Sequence, residues 1–174
     1  MEMSPLLTQQ IRFLRIVLFT LVLFVLSFAA FVLFRSHSRE GSESFTTWVF
    51  AFFGVLSVFA AMVVPRLAER SAMRRILAGT WKPPAPIGPV PSTDEEKLAV
   101  VFRQTTLVRA AILDGAAIMN LMECMLTGHV VNWAVFGLLL VLLLMCFPSY
   151  QSVSNWIDAK LVRLKEERQL SATR

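Results

Sequence analysis

The chain has 174 residues, of which 56% are hydrophobic and 17% are charged, and its mean hydropathy is +0.62. A soluble domain usually has about 45–50% apolar and about 25% charged residues, so this composition excludes an ordinary soluble domain and indicates an integral membrane protein. The net charge of +5 is compatible with binding to nucleic acid. The basic residues, however, lie mainly in the segments next to the apolar stretches, a distribution typical of contact with lipid headgroups. We therefore expect no nucleic-acid partner.

The first two apolar stretches, residues 16–34 and 47–64, predict a transmembrane hairpin. The first stretch is longer than the apolar core of about 7–15 residues found in signal peptides, so we expect it to be retained as a helix. Pro65 follows the second stretch. Because proline removes a helical hydrogen bond and disfavours helix in the preceding residue, the helix of the second span is predicted to end there.

Residues 65–106 are predicted to be cytoplasmic and to begin with an amphipathic helix. Arginines recur every four residues on one face of this helix, which suits either a position in the headgroup layer or a solvated continuation of the second span. The proline-rich linker at residues 80–91 is interpreted as an extended spacer between the two hairpins.

The third helix is predicted to begin near Thr93 and to run into the membrane. Either Ser92 with Glu95 or Thr93 with Glu96 matches a capping box, in which the two residues satisfy each other's backbone N–H groups. No proline follows before Pro148, so one helix is expected to include the whole third span.

Residues 107–126 form the third predicted span, which carries the candidate intramembrane polar site of Arg109, Asp114, Asn120 and Glu123. Ionisable groups cost about 2.5–3.5 kcal/mol each at the centre of a membrane helix, so they tend to face protein or a water-filled cavity. One interpretation is an ion or proton path through Asp114. In the other, Asp114 bonds to a neighbouring helix or joins an oligomer interface, while Arg109 and Glu123 reach headgroups from the ends of the span.

Two observations favour a contact surface over a conduction path. The consecutive small residues 115–117 leave room for a neighbouring helix to approach closely. The other spans supply few polar partners, chiefly Thr20, Ser27 and Ser57, whereas a path across the membrane normally needs such groups on several helices.

The fourth predicted span, residues 131–147, ends at Pro148, and residues 149–174 predict an amphipathic cytoplasmic tail. The apolar stripe of this tail consists of Tyr150, Val153, Ile157, Leu161 and Leu164. The candidate lipid-headgroup contacts on the two amphipathic helices are Arg66, Arg70, Arg74, Arg75, Lys160 and Arg163.

The basic residues outside the spans predict the topology. Fourteen of them lie in the N-terminal lead, the middle segment and the tail, against two in the opposite loops, so the positive-inside rule predicts that both termini are cytoplasmic. The hairpins also echo one another, since Gln10 and Arg15 before the first span correspond to Gln104 and Arg109 at the third. Either internal duplication or the shared demands of two positive-inside hairpins explains this echo.

Enzymatic and metal chemistry have little support in the sequence. Only His37 and His129 are available as histidine ligands, and the most they allow is a weak external metal site with Glu40, Glu43 and Glu123. Both cysteines lie in predicted spans without a CxxC pair, and no nucleophile-elbow, phosphate-loop or zinc-protease motif occurs. We expect no catalytic residue, no cofactor and no bound metal.

The stretch from Arg109 to Ala117, followed by Asn120, Thr127-Gly128 and Pro148, resembles small uncharacterised four-span bacterial inner-membrane proteins. Asp114 stands where those proteins more often have glutamate. The resemblance is confined to residues 109–148 and implies a bacterial inner-membrane location without any particular activity.

Together these features predict an all-α integral membrane four-helix bundle of two transmembrane hairpins, with amphipathic helices after the second and fourth spans, forming one membrane domain over residues 1–174. The expected partners are membrane lipids and either a second copy or a larger membrane protein. The expected function is that of a non-catalytic scaffold or accessory subunit that associates through the polar third span. The alternative is a small ion- or proton-coupled transporter or channel component that uses Asp114.

Overall fold

The computed structural model describes residues 5–36, 45–83 and 91–172, and these residues form five α-helices. No β-strand occurs in the described ranges, and the predicted all-α class is confirmed for them. The helices are α1 (Pro5–Ser36), α2 (Phe45–Leu77), α3 (Asp94–Thr127), α4 (Val130–Met145) and α5 (Tyr150–Ala172).

Three helices, α1, α2 and α3, are long and apolar enough to cross a membrane. α4 qualifies as a fourth only if it is counted together with α5 as one broken span. By itself α4 has 16 residues, or about 24 Å at 1.5 Å per residue, which is less than a hydrocarbon core of about 30 Å. Three to four such helices are consistent with a multi-pass membrane protein, and the count of four spans stays a prediction.

Contacts between residues divide the chain into two compact units. Of the described residues, the first unit contains 5–15, 65–83, 91–106 and 148–172, and the second contains 16–36, 45–64 and 107–147. Helices α1, α2 and α3 therefore contribute residues to both units, whereas α4 belongs to the second unit and α5 to the first.

The core of the first unit is formed by one face of each of its four helical segments, which belong to α1, α2, α3 and α5. In α5 the buried residues Val153, Ile157 and Leu164 follow the predicted apolar stripe, and Trp156 packs edge-on against Phe102 of α3 with ring centroids 5.3 Å apart. Much of the apolar side of α5 and part of that of the second half of α2 thus pack against protein, while Leu67 of α2 stays exposed, and a position in the headgroup layer stays a prediction. The buried core consists of Leu7, Ile11, Ile76, Leu98, Ala99, Val101, Val153, Ile157 and Leu164.

α1 buries one narrow face along its length. Its buried residues recur at intervals of three or four positions, as in an amphipathic helix, and they occur in both units. The helix already begins at Pro5, a residue suited to a first helical turn, so the segment before the first span is helical and not merely a polar lead. The buried series is Leu7, Ile11, Leu14, Leu18, Val22, Val25, Ala29 and Val32.

α2 has small residues on its buried face and large residues outside. Nine of the 14 phenylalanines in the chain are exposed, and all nine belong to α1 and α2. Small inward residues allow helices to pack closely in a membrane, and so much exposed apolar surface is typical of contact with lipid or another protein. Within the second unit, the buried face of α2 consists of Thr47, Ala51, Gly54, Ser57 and Ala61.

A Schellman motif closes the C-terminal end of α2. Gly79 has φ 67°, a left-handed conformation that glycine adopts without steric cost. Its N–H donates to Ile76 O at 3.2 Å, and the N–H of Thr80 donates to Arg75 O at 3.0 Å. These two bonds satisfy carbonyls that the end of the helix leaves without a partner.

α3 begins with the predicted capping box in its Thr93–Glu96 register, which is confirmed. The Glu96 N–H donates to Thr93 Oγ1 at 3.2 Å, and the Glu96 carboxylate accepts from the N–H groups of Ser92 at 2.7 Å and Thr93 at 3.3 Å. These backbone bonds, that of Ser92 foremost, lower the pKa of Glu96. From this start α3 continues without a break to Thr127, as the lack of prolines predicted.

An ion pair joins the start of α3 to the end of α5, and we expect it to contribute stability that depends on pH. Arg168 donates to Asp94 Oδ2 at 2.6 Å, and this bond, more than the other influences, lowers the pKa of Asp94. Because the pKa is lower in the folded state, the stabilisation is complete above the ordinary pKa of an aspartate and is lost as the pH falls through the folded-state value.

Thermal unfolding at a series of pH values, for the wild type and Arg168→Gln, measures this effect. We expect Arg168→Gln to be less stable near neutral pH by no more than about 1 kcal/mol, since the pair is partly exposed to solvent. The difference should vanish in acid, where Asp94 is protonated in both proteins. A difference that stays constant down to acidic pH would show that Arg168 acts independently of Asp94.

Candidate polar site on the third helix

Arg109 bonds to a backbone carbonyl that a proline leaves without its usual donor. Its Nε donates to Ala61 O at 3.2 Å. In a regular helix the N–H of residue 65 would bond to this carbonyl, but Pro65 has no N–H. The expectation that the helix of the second span ends at Pro65 is wrong, since α2 continues to Leu77 and Arg109 supplies the missing donor.

Glu123 is buried, with only 2% of its surface exposed. Its Oε1 accepts hydrogen bonds from the hydroxyl groups of Thr46 at 2.8 Å and Thr47 at 3.4 Å, both in the first turn of α2. The expectation that Glu123 reaches the outer headgroups is therefore wrong. A carboxyl group is tolerated inside a protein where hydrogen-bond donors replace water, and the two threonines supply them.

Asn120 lies where three helices come close together. Its side chain is buried, and Nδ2 donates to Ala116 O, one turn earlier in α3, at 2.9 Å. A Cβ placed on Gly54 of α2 would lie 2.8 Å from this Nδ2 and 2.5 Å from Cγ1 of Val135 in α4. Because real Cβ atoms do not make such short contacts, only glycine at position 54 allows α2, α3 and α4 to approach this closely.

Some enclosed polar atoms of the second unit have no hydrogen-bond partner within the described part of the chain. They are Asp114 Oδ1, Asn120 Oδ1 and both polar side-chain atoms of Asn132. Asp114 is half-buried, whereas Asn120 and Asn132 are almost completely buried. An unpaired polar atom inside a protein costs about 1–3 kcal/mol, so each of these atoms is a position where a further donor or acceptor would stabilise the molecule.

The four predicted site residues do not form one cluster. Arg109 and Glu123 are each bonded to α2, Asn120 packs against α2 at Gly54, and Asp114 makes no side-chain hydrogen bond through its enclosed oxygen. The arrangement therefore acts as a set of hydrogen bonds and close contacts that join α3 to α2.

The sequence analysis missed three of the polar groups in this unit. Thr46 and Thr47 stand at the edge of the second apolar stretch, and Asn132 lies at the start of the fourth predicted span. A sequence signal for Thr47 did exist, because small residues recur along one face of the helix from Thr47 to Ala61. No comparable periodic signal marks Asn132.

His129 has a structural role at the start of α4. Its Nδ1 accepts a hydrogen bond from the N–H of Val131 at 3.3 Å, which caps the helix. Of the other residues of the predicted external metal site, Glu123 is buried and bonded to α2, and His37, Glu40 and Glu43 lie outside the described residues. In the described ranges no group of three or more potential metal ligands occurs.

α3 also carries an exposed strip, formed by one residue per turn. At its centre is Gly115, where an added Cβ would meet no atom within 4 Å. Ala116 and Ala117 are buried against the rest of the chain, so of the three consecutive small residues Gly115 alone is open to a further helix. The exposed strip consists of Val108, Ala111, Gly115, Met119, Met122 and Leu126.

Comparison of the chain with protein-family models, curated proteins and solved structures finds no match, which leaves the geometry of α3 and its neighbours as the evidence for function.

Proposed function

We propose that the protein is a non-catalytic integral membrane protein, a small scaffold or accessory subunit that associates with a second copy or a larger membrane protein through α3. The proposal includes four spans, a bacterial inner-membrane location and cytoplasmic termini. The alternative function, transport of an ion or proton through Asp114, is tested separately below.

The distribution of charge over the two units supports the proposed topology. Fourteen of the 17 Lys and Arg residues belong to the segments that make up the first unit. Basic residues are enriched on the cytoplasmic side of membrane proteins, so the first unit is expected to lie in the cytoplasm. Exposed phenylalanines are favourable in contact with lipid, so the second unit is expected to lie in the membrane. In this proposal the fourth span consists of α4 together with the residues up to Pro148. Its length then falls within the range of about 17–25 residues that a transmembrane helix needs.

The observation that carries the proposed association is the open position at Gly115. Ala111 and Gly115 are four residues apart, which is the spacing that lets two membrane helices pack with their backbones close together. Unlike at Gly54, a Cβ added at Gly115 would have no atom of the described residues within 4 Å. The flanking methionines, Met119 and Met122, have flexible side chains that adapt to an incoming surface.

The polar residues of α3 contribute to this proposal in a different way from that predicted by sequence. Asn120 and Glu123 are used inside the chain, so they are not available to a partner. Asp114 precedes Gly115 and is half-buried, so part of its side chain stays open to a hydroxyl or amide group of a partner helix beside the exposed strip. Association through the exposed strip thus explains both Gly115 and Asp114.

Substitution of Gly115 by leucine tests the proposal, with Gly137→Leu in α4 as the matched control. An added Cβ meets no atom within 4 Å at either glycine, so both variants should fold. We expect Gly115→Leu to lose the oligomer or the co-purifying partner that the wild type forms, because the leucine prevents close backbone approach. Chemical crosslinking in native membranes followed by gel analysis measures this, and equal crosslinking in both variants would refute the proposed interface.

Asp114→Asn separates association from transport. The change keeps the shape of the side chain but removes its capacity to carry a proton or to attract a cation. Loss of ion flux in proteoliposomes with normal crosslinking would favour the transporter, whereas reduced crosslinking without any effect on flux would favour the scaffold. If neither flux nor crosslinking changes, Asp114 has neither of the two roles.

A further inference from the structure

A cavity of about 620 Å³ lies between the second half of α2 and α5 within the first unit. This volume falls in the range of about 300–1,000 Å³ that is typical of small-molecule sites. Five of the side chains that line the cavity are basic and two are acidic. We call it the arginine groove, and its lining consists of Arg66, Glu69, Arg70, Met73, Arg74, Leu77, Lys160, Arg163 and Glu167.

The acidic residues of the groove are already paired with residues of α5. Glu69 forms an ion pair with Lys160, which links α2 to α5, and Arg163 pairs with Glu167 at 3.0 Å within α5. These two pairs leave the three arginines of α2 without an acidic partner among the described residues. The groove therefore has an excess of three positive charges.

The three unpaired arginines point toward one kind of ligand. Arg66, Arg70 and Arg74 are four residues apart, so their side chains follow one another on a single face of α2, about 6 Å apart along the axis. Guanidinium groups bind phosphate oxygens through paired hydrogen bonds, and several of them in a row match a phosphate with its ester oxygens better than a compact carboxylate.

The groove also has an apolar part. Met73 and Leu77 line it beside the arginines, and both are half-buried against the core of the first unit. A solvated basic face would not need an apolar wall, whereas a phosphate ester has a carbon-containing portion that such a wall would cover. We propose that the arginine groove is a binding site for a phosphate ester, which is either the headgroup of an anionic phospholipid or a soluble phosphate compound.

The adjacent residue Arg75 provides a matched control. Arg75 has the same charge and is exposed, but it does not line the groove. Arg74→Gln and Arg75→Gln therefore change the net charge equally and differ only in whether the lost guanidinium belongs to the groove. Arg74→Lys, which keeps the charge but loses the paired hydrogen bonds, should bind with intermediate affinity.

The experiment uses the full chain in detergent, with circular dichroism to verify that each variant keeps its helical content. Native mass spectrometry measures binding of phosphatidylglycerol, with phosphatidylcholine as the lipid of zero net charge, and glycerol phosphate and inorganic phosphate are added as soluble probes. We expect Arg74→Gln to weaken binding about fivefold, because a guanidinium that bonds to the phosphate is lost from the groove, and Arg75→Gln to leave it nearly unchanged, because Arg75 lies outside the groove.

The pattern of losses distinguishes the two sources of phosphate. If Arg74→Gln weakens phosphatidylglycerol binding and the soluble probes do not compete, the ligand is a lipid headgroup. If the soluble probes bind and their binding is the one weakened, the ligand is a soluble phosphate compound. Equal losses in Arg74→Gln and Arg75→Gln, or no loss in either variant, would overturn the proposal, because binding would then be diffuse or absent.

Discussion

Gly54→Ala is expected to destabilise the folded protein by about 2 kcal/mol, although it adds a single methyl group. The new Cβ would lie 2.5 Å from Cγ1 of Val135 and 2.8 Å from Nδ2 of Asn120. Val135 is β-branched, so rotation of its side chain away from one methyl contact tends to create another. The helices must therefore move apart. Denaturant unfolding of the purified protein in detergent, followed by circular dichroism, measures the loss.

Gly115→Ala is the matched control for this prediction. It makes the same chemical change in a membrane helix, but the added Cβ meets nothing within 4 Å. Alanine favours helix over glycine by about 1 kcal/mol in water, so Gly115→Ala should be at least as stable as the wild type. Loss of stability in both variants would mean that alanine itself is unfavourable in these helices and that the close approach at Gly54 is not the cause.

A second substitution tests the contact directly. Val135→Ala removes the Cγ1 atom nearest to the new methyl group, so Gly54→Ala should cost much less in that background than alone. The two free-energy changes should therefore fail to add, as is usual for residues in direct contact. Additive losses would show that Val135 does not limit the space at position 54.

The sequence was sufficient to predict the helices because the signals for them are local. The capping box at Thr93 and the lack of proline up to Pro148 predicted the start and continuity of α3, and both were confirmed. The expected effect of Pro65 was wrong for an equally physical reason. A proline leaves one carbonyl unsatisfied, and the helix continues where another residue, here Arg109, supplies a donor.

The inward faces were harder to predict, because in a membrane protein hydropathy does not distinguish the interior from the lipid-facing surface. Both environments are apolar, so the phenylalanines of α2 gave no indication of direction. The chain has 14 phenylalanines and only seven glycines, yet the buried face of α2 from Thr47 to Ala61 is formed by small residues. Residue size at helical spacing would have been the better guide.

Contacts between distant parts of the chain also explain the echo between the hairpins. Arg15 donates to Pro148 O through Nε at 3.3 Å and through a terminal nitrogen at 3.1 Å. Arg109 donates to Ala61 O, the carbonyl deprived of a donor by Pro65. Arg15, before the first hairpin, thus bonds to the carbonyl of the proline that follows the second hairpin. Arg109, in the second hairpin, bonds to the carbonyl that the proline after the first hairpin leaves without a donor. Sequence spacing revealed the repeated residues but not this exchange, since both explanations of the echo predict the same spacing.

Replacing Thr46 and Thr47 together by valine is expected to destabilise the protein by about 3 kcal/mol. Valine is close to threonine in shape, so the main loss is that of the two hydroxyl groups that donate to Glu123 Oε1. Hydrogen bonds to a group that carries charge contribute about 1.5–3 kcal/mol each, and a buried acceptor without donors adds its own desolvation cost. The longer bond, from Thr47 at 3.4 Å, should account for the smaller share.

A double-mutant cycle with Glu123→Met determines whether the threonines act through Glu123. Methionine fills a similar space without needing hydrogen bonds, so Glu123→Met should cost less than the loss of both threonines, because no buried carboxyl group is left without donors. In the Glu123→Met background the two threonine substitutions should have little further effect. Denaturant unfolding of all four proteins supplies the coupling free energy, which we expect to be about 3 kcal/mol, nearly the whole loss caused by the threonine substitutions. An equal loss from the threonine substitutions in both backgrounds would mean that they stabilise α2 without Glu123. The coupling therefore also tests whether Glu123 belongs to the interior of this chain, because a carboxyl group that reached the headgroups would gain nothing from the hydroxyls of Thr46 and Thr47.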